Sequence, residues 1–347
     1  MPTRRVPHNN HSVRLCNNRS LLTIKYKGIY KTKNNIRTYC TTENREMIKL
    51  NPWFVTGLTD GDGSLYITTR KDLTSRHGFH ISLEYKITAV IHPLNFKLLE
   101  LVQTFFDGVG IITKDKNAYQ YVIRNRNHLS KVREHFENYP LQTTKHLHFQ
   151  LWCRVLDLKQ GKDHLTLADF MEVLAIKALF PEGLNDSVKA AFPVIKSITK
   201  PEFISSTSKL NGHWIAGFTQ ADGTFGLNYH KVTQMRLGYT CQGQFRISQH
   251  ARDLIVLNRI LVYFCCGSTR MNRKIDQVYV FSVASDSDLM NIIIPFFQKY
   301  YIYGAKLLDL EDFSRGVHII HNKGHLTPEG LNELKKIAYG MNAYRKF

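Results

Sequence analysis

Two kinds of hydrophobic periodicity occur along the chain from about residue 50 onward. In several segments apolar side chains alternate with polar ones, which predicts β-strands with one buried face and one polar face. These segments are 64–70, 79–88, 224–230 and 244–248. Apolar residues recur at helical spacing across 94–106, and 119–124 is predicted to be a further strand.

A nine-residue segment of mostly small and apolar residues occurs twice, at 55–63 and at 215–223. Each copy ends in Asp-Gly, and Asp62 and Asp222 are 160 positions apart (222 − 62 = 160). A helix without a polar face is buried, and small residues spaced four apart let two helix backbones approach closely. We therefore predict two paired buried helices, related by a pseudo-two-fold axis.

The repeat continues far beyond these two segments. The segment HFENYPLQTTK, which ends at Lys145, matches FFQKYYIYGAK, which ends at Lys306, at an offset of 161. We interpret the chain as two homologous half-domains, 50–185 and 210–347, joined by a connection at 186–209. In each half the predicted order is helix, two strands, helix, two strands and helices, which is an α+β fold.

The charge of the chain indicates a polyanionic partner. The formal net charge is +19, and residues 1–49 carry 11 Lys+Arg against two Asp+Glu, so the remaining residues are basic in their own right. Nucleic acid is the first candidate partner, and an acidic membrane surface is the alternative on charge alone. No apolar run reaches membrane-spanning length. Residues 1–49 are predicted to be a poorly ordered basic extension that acts as a leader, a transit peptide or a nucleic-acid-binding arm.

The polar faces of the predicted strands carry hydrogen-bond donors and acceptors suited to base edges and phosphates. A β-ribbon fits the major groove of DNA, although an ordinary solvated sheet face is the alternative for any single residue. The candidate DNA-contacting residues are Ser64, Tyr66, Thr68, Arg70, His80, Ser82, Glu84, Lys86, Thr224, Asn228, His230, Arg236, Gln242, Gln244 and Arg246.

The aspartates that end the two predicted helices indicate a metal site. The C-terminal end of a helix carries partial negative charge, which disfavours a carboxylate there. Two such ends side by side repel, and a divalent cation with oxygen ligands removes the conflict. A simple turn is the alternative for one Asp-Gly copy, but duplication favours a site. The six cysteines form no C-x-x-C pair, so a zinc ribbon is not expected.

Over residues 50–347 the chain resembles the double-motif LAGLIDADG homing endonucleases. It is most similar to the single-chain organellar group, in which each half ends with a segment similar to GHLTPEGLNELKKIA, here 324–338. The resemblance implies two pseudo-symmetric αββαββα half-domains with antiparallel saddle-shaped sheets. It also implies that the motif helices pair at the centre of the molecule.

The resemblance also implies roles for residues at the ends of the motif helices. Asp62 and Asp222 are implied to be the catalytic acids, which bind the metal together with the backbone carbonyls of Gly61 and Ala221. The implied cofactor is Mg²⁺ or another divalent cation such as Mn²⁺, and Ca²⁺ is expected to support binding without cleavage.

Three further residues are implied to assist catalysis. Lys145 and Lys306 occupy the place of a basic residue that supports the reaction in this family. Gln249, just after a strand, is implied to organise water, whereas the first half has Ala89 there. A surface role is the alternative for each lysine.

The function implied is that of a monomeric, site-specific endonuclease for double-stranded DNA. It would cut a long asymmetric target to leave 3′ overhangs and so promote intron homing. Because Gln220 replaces Asp60 in the second motif, the two strands are expected to be cut at different rates. The alternatives are a group I intron maturase, with intron RNA as its partner, and a DNA-binding protein that does not cut. The family alone implies a mitochondrial location, with the chloroplast as the alternative.

Overall fold

The computed structural model describes residues 49–161, 164–204, 208–342 and 345, and it contains two copies of one arrangement of helices and strands. The first copy consists of α1 Pro52–Asp62, β1 Gly63–Lys71, β2 Phe79–Val90, α2 Pro93–Phe105, β3 Ile111–Asp115, β4 Ala118–Ile123, α3 Arg126–Asn138, α4 Lys145–Lys159 and α5 Leu167–Ala178. It is followed by the short helix α6, Asp186–Ala191.

The second copy repeats the order of the first. It consists of α7 Gly212–Asp222, β5 Gly223–Lys231, β6 Tyr239–His250, α8 Leu254–Phe264, β7 Ser268–Arg273, β8 Val278–Val283, α9 Asp286–Asp288, a π-helical turn Leu289–Ile293, α10 Ile294–Lys299, α11 Lys306–His321 and α12 Pro328–Ala338. The order αββαββα, which the resemblance implied, is confirmed for both copies.

Each copy contains one four-stranded antiparallel sheet. The strand orders are β1-β2-β4-β3 and β5-β6-β8-β7, so the two sheets have the same topology. The alternating pattern predicted the buried faces correctly, because side chains such as Leu65, Ile67 and Leu83 are at most 5% exposed, whereas their strand neighbours are more open. The α+β fold class is therefore confirmed.

The two motif helices α1 and α7 pack directly against each other. Each begins in the same way, since Asn51 and Asn211 accept a hydrogen bond from a backbone N–H in the first turn. A methyl group at Gly57 would lie 2.0 Å from the Trp214 carbonyl oxygen, and a methyl group at Gly217 would lie 2.0 Å from the Phe54 carbonyl oxygen. Glycine is required at both positions because the two backbones touch there.

The predicted segment boundaries stay predictions, and some of them fall where the structure gives no description. The basic extension at 1–49 lies outside the described residues except for Lys49. The predicted connection at 186–209 contains the short helix α6. None of the helices in the described part of the chain has the length and hydropathy of a membrane-spanning segment.

Candidate active site and nucleic-acid interface

The two motif aspartates lie where the paired helices end. Asp62 is the last residue of α1 and Asp222 is the last residue of α7. A methyl group built on Gly61 would lie 2.2 Å from the Ala221 side chain and 3.1 Å from the Asp222 Oδ2 atom. The helix pairing therefore brings two carboxylates from distant parts of the sequence to one place.

The environment of these carboxylates raises their pKa values. Burial among protein atoms and then the negative charge of Asp222 raise the pKa of Asp62 to about 6, against the opposing effect of two lysines. Burial also raises the pKa of Asp222. The Asp62 side chain still reaches solvent, so water screens part of this effect. Such a pair is a candidate site for a cation, since a positive ion would offset the repulsion.

The predicted lysines, Lys145 and Lys306, contact the same two helix ends. The ammonium group of each donates hydrogen bonds to backbone carbonyls at the C-terminal end of the motif helix in its own half. The acceptors of Lys145 Nζ are the carbonyl oxygens of Thr59, Gly61 and Gly63, at 2.8, 3.1 and 2.5 Å. The acceptors of Lys306 Nζ are the carbonyl oxygens of Ala221 and Gly223. Burial lowers the pKa of both lysines, while the neighbouring carboxylates act in the opposite direction.

The oxygen atoms at the helix ends form a donor set that suits Mg²⁺. The carbonyl oxygens of Gly61 and Ala221 each accept a hydrogen bond from a lysine ammonium, and each keeps a second lone pair with which it could bind a cation. Among the described residues, no group of three or more His, Cys, Asp or Glu forms a closed metal cage. Mg²⁺ is commonly held by one or two carboxylates together with water and substrate phosphates. Asp62 and Asp222 would thus hold the ion with help from a bound phosphate.

Gln249 contacts the second carboxylate from inside a strand. Its placement just after a strand was wrong, because it is the penultimate residue of β6, whose alternation continues to His250. Gln249 Nε2 donates a hydrogen bond of 2.6 Å to Asp222 Oδ2. The first half has Ala89 at the matching position of β2, and a methyl group cannot donate. The two carboxylates therefore differ in their surroundings.

Asp60 lies in the core beside this site, where it accepts hydrogen bonds from neighbouring residues. Its donors are Gln142 N at 2.8 Å, Thr143 N at 3.2 Å, Thr143 Oγ1 at 2.6 Å and Trp214 Nε1 at 2.7 Å. The side chain that replaces it, Gln220, is also buried, and its Oε1 atom has no hydrogen-bond partner among the residues that the structure describes. Asp60 thus orders the turn before Lys145.

The candidate DNA-contacting residues of the first half form one face of its sheet. They are paired across β1 and β2 as Ser64 with Lys86, Tyr66 with Glu84, Thr68 with Ser82 and Arg70 with His80. In the second half the pairs are Thr224 with Arg246, Gly226 with Gln244, Asn228 with Gln242 and His230 with Thr240. In each sheet these side chains lie on the face opposite the apolar core. The polar faces of the two sheets are therefore available to a ligand.

Several side chains on these faces also contact one another. The Lys86 Nζ atom lies 4.6 Å from the centroid of the Tyr66 ring. Glu84, the acidic residue of the first-half set, forms an ion pair of 2.9 Å with Arg124. The charge of Glu84 is thus compensated within the sheet face.

Arg236 lies apart from the other candidates, in the turn between β5 and β6, where its guanidinium donates to the Leu326 carbonyl at 3.3 Å. Arg270 of β7, which is not among the residues predicted from the sequence, is exposed and pairs with Val280 in the second sheet. The polar segment 268–273 is followed by the apolar strand β8, and this order could have predicted a β-hairpin that contains Arg270.

Comparison with known proteins places this fold and site in a family. The sequence profile described as LAGLIDADG endonuclease matches residues 55–156 and 215–317. The chain therefore belongs to the LAGLIDADG endonuclease family, with two copies of the family domain.

Two relatives come from the fungus Neurospora crassa. "Probable intron-encoded endonuclease 3" is 32% identical over 304 residues, which are 87% of this chain and 55% of the relative. "Probable intron-encoded endonuclease 2" is 30% identical over 299 residues, which are 82% of this chain and 64% of the relative. The chain thus spans less than two thirds of the length of either relative.

This chain is similar in structure to the I-SmaMI LAGLIDADG homing endonuclease, whose crystal structure was solved bound to cleaved DNA. The similarity extends over nearly the whole length of I-SmaMI. The TM-score is 0.81 with 34% sequence identity, covering 86% of this chain and 99% of that one. The same endonuclease has been solved bound to an uncleaved DNA target in the presence of calcium ions, with a TM-score of 0.80. The recognised family and the observed fold therefore agree.

Proposed function

We propose that this protein is a site-specific endonuclease that cuts both strands of a long, asymmetric DNA duplex. The observation that carries the proposal is the convergence of Asp62 and Asp222, each with a half-buried lysine, at the ends of two paired helices. Two sheets with polar faces, one in each half, supply surfaces for two different half-sites. The DNA-bound state of the similar endonuclease supports double-stranded DNA as the partner.

The residues of the site act on the phosphodiester groups in complementary ways. Lys145 and Lys306 bring positive charge to the helix ends, where it stabilises charge that develops on a phosphate during cleavage. Gln249 fixes one oxygen of Asp222 by its hydrogen bond. A divalent cation held by the two aspartates, with the carbonyls of Gly61 and Ala221, would activate water and neutralise the leaving oxygen.

The cofactor in this proposal is Mg²⁺, with Mn²⁺ as a substitute. Two carboxylates with carbonyl oxygens suit these hard cations. Ca²⁺ is expected to support binding without cleavage, and the complex of the similar endonuclease with uncleaved DNA and calcium is consistent with this expectation.

The biological role in this proposal is intron homing by a monomer in a fungal-type mitochondrion. The names of the relatives describe intron-encoded endonucleases. The target would then be the joined exon sequence of the allele that lacks the intron, and the products would carry 3′ overhangs. Binding of intron RNA stays a prediction from the sequence.

The test is cleavage of a supercoiled plasmid that carries the joined exon sequence flanking the gene. Purified protein with Mg²⁺ should linearise this plasmid. Asp62→Asn and Asp222→Asn should each lower the cleavage rate by about two orders of magnitude or more, the scale expected for a group at the reacting centre. Binding in Ca²⁺ should survive in both variants.

The matched control is Asp186→Asn, because Asp186 is a fully exposed carboxylate on α6. This variant should cut at the unmodified rate. The assignment of the acids is wrong if either motif variant keeps the unmodified rate.

A further inference from the structure

The turn that precedes Lys145 is held by a carboxylate from the other half of the molecule. Thr144 N donates to Asp253 Oδ1 at 2.7 Å, and Thr144 Oγ1 donates to Asp253 Oδ2 at 3.2 Å. Asp253 precedes helix α8 and is only 4% exposed. Because these bonds are charge-assisted and their acceptor is buried, they fix the position of this turn.

Asp60 also holds this turn. It accepts the backbone N–H groups of Gln142 and Thr143, as described above, so three consecutive N–H groups bind to two carboxylates. Helix α4 begins at the next residue, Lys145, and negative charge at the start of a helix is favourable. The backbone from which the Lys145 side chain extends is therefore held in place and stabilised by nearby negative charge.

The matching turn of the second half is held more weakly. Ala305 N, just before Lys306, donates to Asn95 Oδ1 at 2.8 Å. Asn95 is a neutral amide, and Ala305 lacks the hydroxyl group of Thr144. The Gln220 oxygen, in the place of Asp60, forms no hydrogen bond within the described part of the chain.

Asn95 and Asp253 occupy equivalent places in the two halves. The buried residues Leu98, Leu99 and Val102 of α2 match Val256, Leu257 and Ile260 of α8 at an offset of 158. The same offset relates Asn95 to Asp253 (253 − 95 = 158). One position thus carries an amide in one half and a carboxylate in the other.

We propose that Asp253 is a positioning residue that holds Lys145 in place from across the half-domain interface, so that the two strand cuts depend on it unequally. Both Asp253 oxygens are engaged by Thr144, and Oδ2 also lies 3.4 Å from Arg252 Nε. Asp253 therefore contacts the backbone that leads into Lys145, and after burial its charge also contributes to raising the pKa of Asp222. The inference rests on the proposed endonuclease function.

The first test needs no DNA and uses hydrogen exchange of the full chain. In Asp253→Ala, amides in peptides covering 142–147 should exchange about tenfold faster or more, as expected for loss of a charge-assisted bond. Peptides covering 303–308 should be unchanged. Asp253→Asn keeps the Oδ1 acceptor and should give an intermediate effect. Unchanged exchange at 142–147 in Asp253→Ala would overturn the proposal.

The second test resolves the nicking of each strand of the plasmid that carries the joined exon sequence, with Mg²⁺. Asp253→Asn should slow one strand by about tenfold while the other strand changes by less than about twofold, and affinity in Ca²⁺ should be retained. Asn95→Asp should leave the strand that is sensitive to Asp253 unaffected. Equal slowing of both strands by Asp253→Asn indicates a general structural role and contradicts the proposal.

The two tests separate the inference from the proposed function. If the unmodified protein leaves the plasmid intact, the proposed function or its target is wrong, and the exchange result still decides whether Asp253 holds the turn. Asp186→Asn should behave as the unmodified chain in both measurements, since that carboxylate is exposed on α6.

Discussion

At the scale of single residues, the proposed binding of a cation by Asp62 should depend on the protonation of its carboxyl group. Burial and the nearby Asp222 raise its pKa to about 6, so it increasingly keeps a proton as the pH falls below that value. A proton and a divalent cation compete for the same oxygens. The Mg²⁺ concentration needed for half-maximal cleavage should therefore rise as the pH falls from 7.5 to 5.5.

Titrations of cleavage with Mg²⁺ at these two pH values check this expectation. In Asp62→Asn, the residual nicking should lose the contribution of Asp62 to this pH effect, because the amide does not titrate. An equal Mg²⁺ midpoint at both pH values in the unmodified protein would show that the raised pKa of Asp62 does not govern metal binding.

Some residues of the site can be found from the sequence alone, and others cannot. Asp62, Asp222, Lys145 and Lys306 follow the repeat, so comparing the two halves finds them. Asp253 could not be found in this way, because its contact with Thr144 joins elements 109 positions apart. Nothing in the order of residues shows which side chains meet across the interface.

At the scale of helices and strands, the contact of α1 with α7 should tolerate no added atom at Gly57 or Gly217. An added methyl group would lie 2.0 Å from a backbone carbonyl oxygen of the partner helix. Either Gly57→Ala or Gly217→Ala should therefore destabilise the fold by about 3 kcal/mol or more, at the upper end of the cost of overpacking. Urea unfolding measures the change in free energy.

Gly226→Ala is the matched control for these substitutions. A methyl group at Gly226 would come no closer than 3.9 Å to a neighbouring atom, so its effect should be below about 1 kcal/mol. If Gly57→Ala and Gly217→Ala had the same free energy of unfolding as Gly226→Ala, the motif helices could separate at little cost.

The helix before each lysine explains one of the changes in the offset between the two copies. The offset is 160 at the aspartates and 161 at the lysines. Helix α3 has 13 residues, whereas the matching segment from Asp286 to Lys299 contains a π-helical turn at Leu289–Ile293 before Pro295. A π turn accommodates one additional residue in a helix. The alternation of apolar and polar residues predicted the strands, but no hydrophobic pattern predicts the additional residue of a π turn.

At the scale of the whole molecule, the net charge of +19 should make DNA binding strongly dependent on salt. Neutralising six to ten phosphates releases their counterions, which lowers affinity by about 10³ to 10⁵ between 50 and 200 mM salt. Affinity for the joined exon duplex in Ca²⁺, measured across KCl concentrations, checks this. A change below about tenfold would contradict a binding surface that neutralises many phosphates.

The hydrogen bond from the Trp214 indole to Asp60 joins the second copy of the repeat to the first. The side chains at the two matching positions cannot form the equivalent bond. At the matching positions stand Phe54, which has no polar hydrogen to donate, and Gln220. A chain assembled from two first halves would leave Asp60 without its indole donor, and one assembled from two second halves would place the indole against an amide. The two copies are therefore not interchangeable, and a recombined protein keeps this hydrogen bond only if Asp60 stays in the first half and Trp214 in the second.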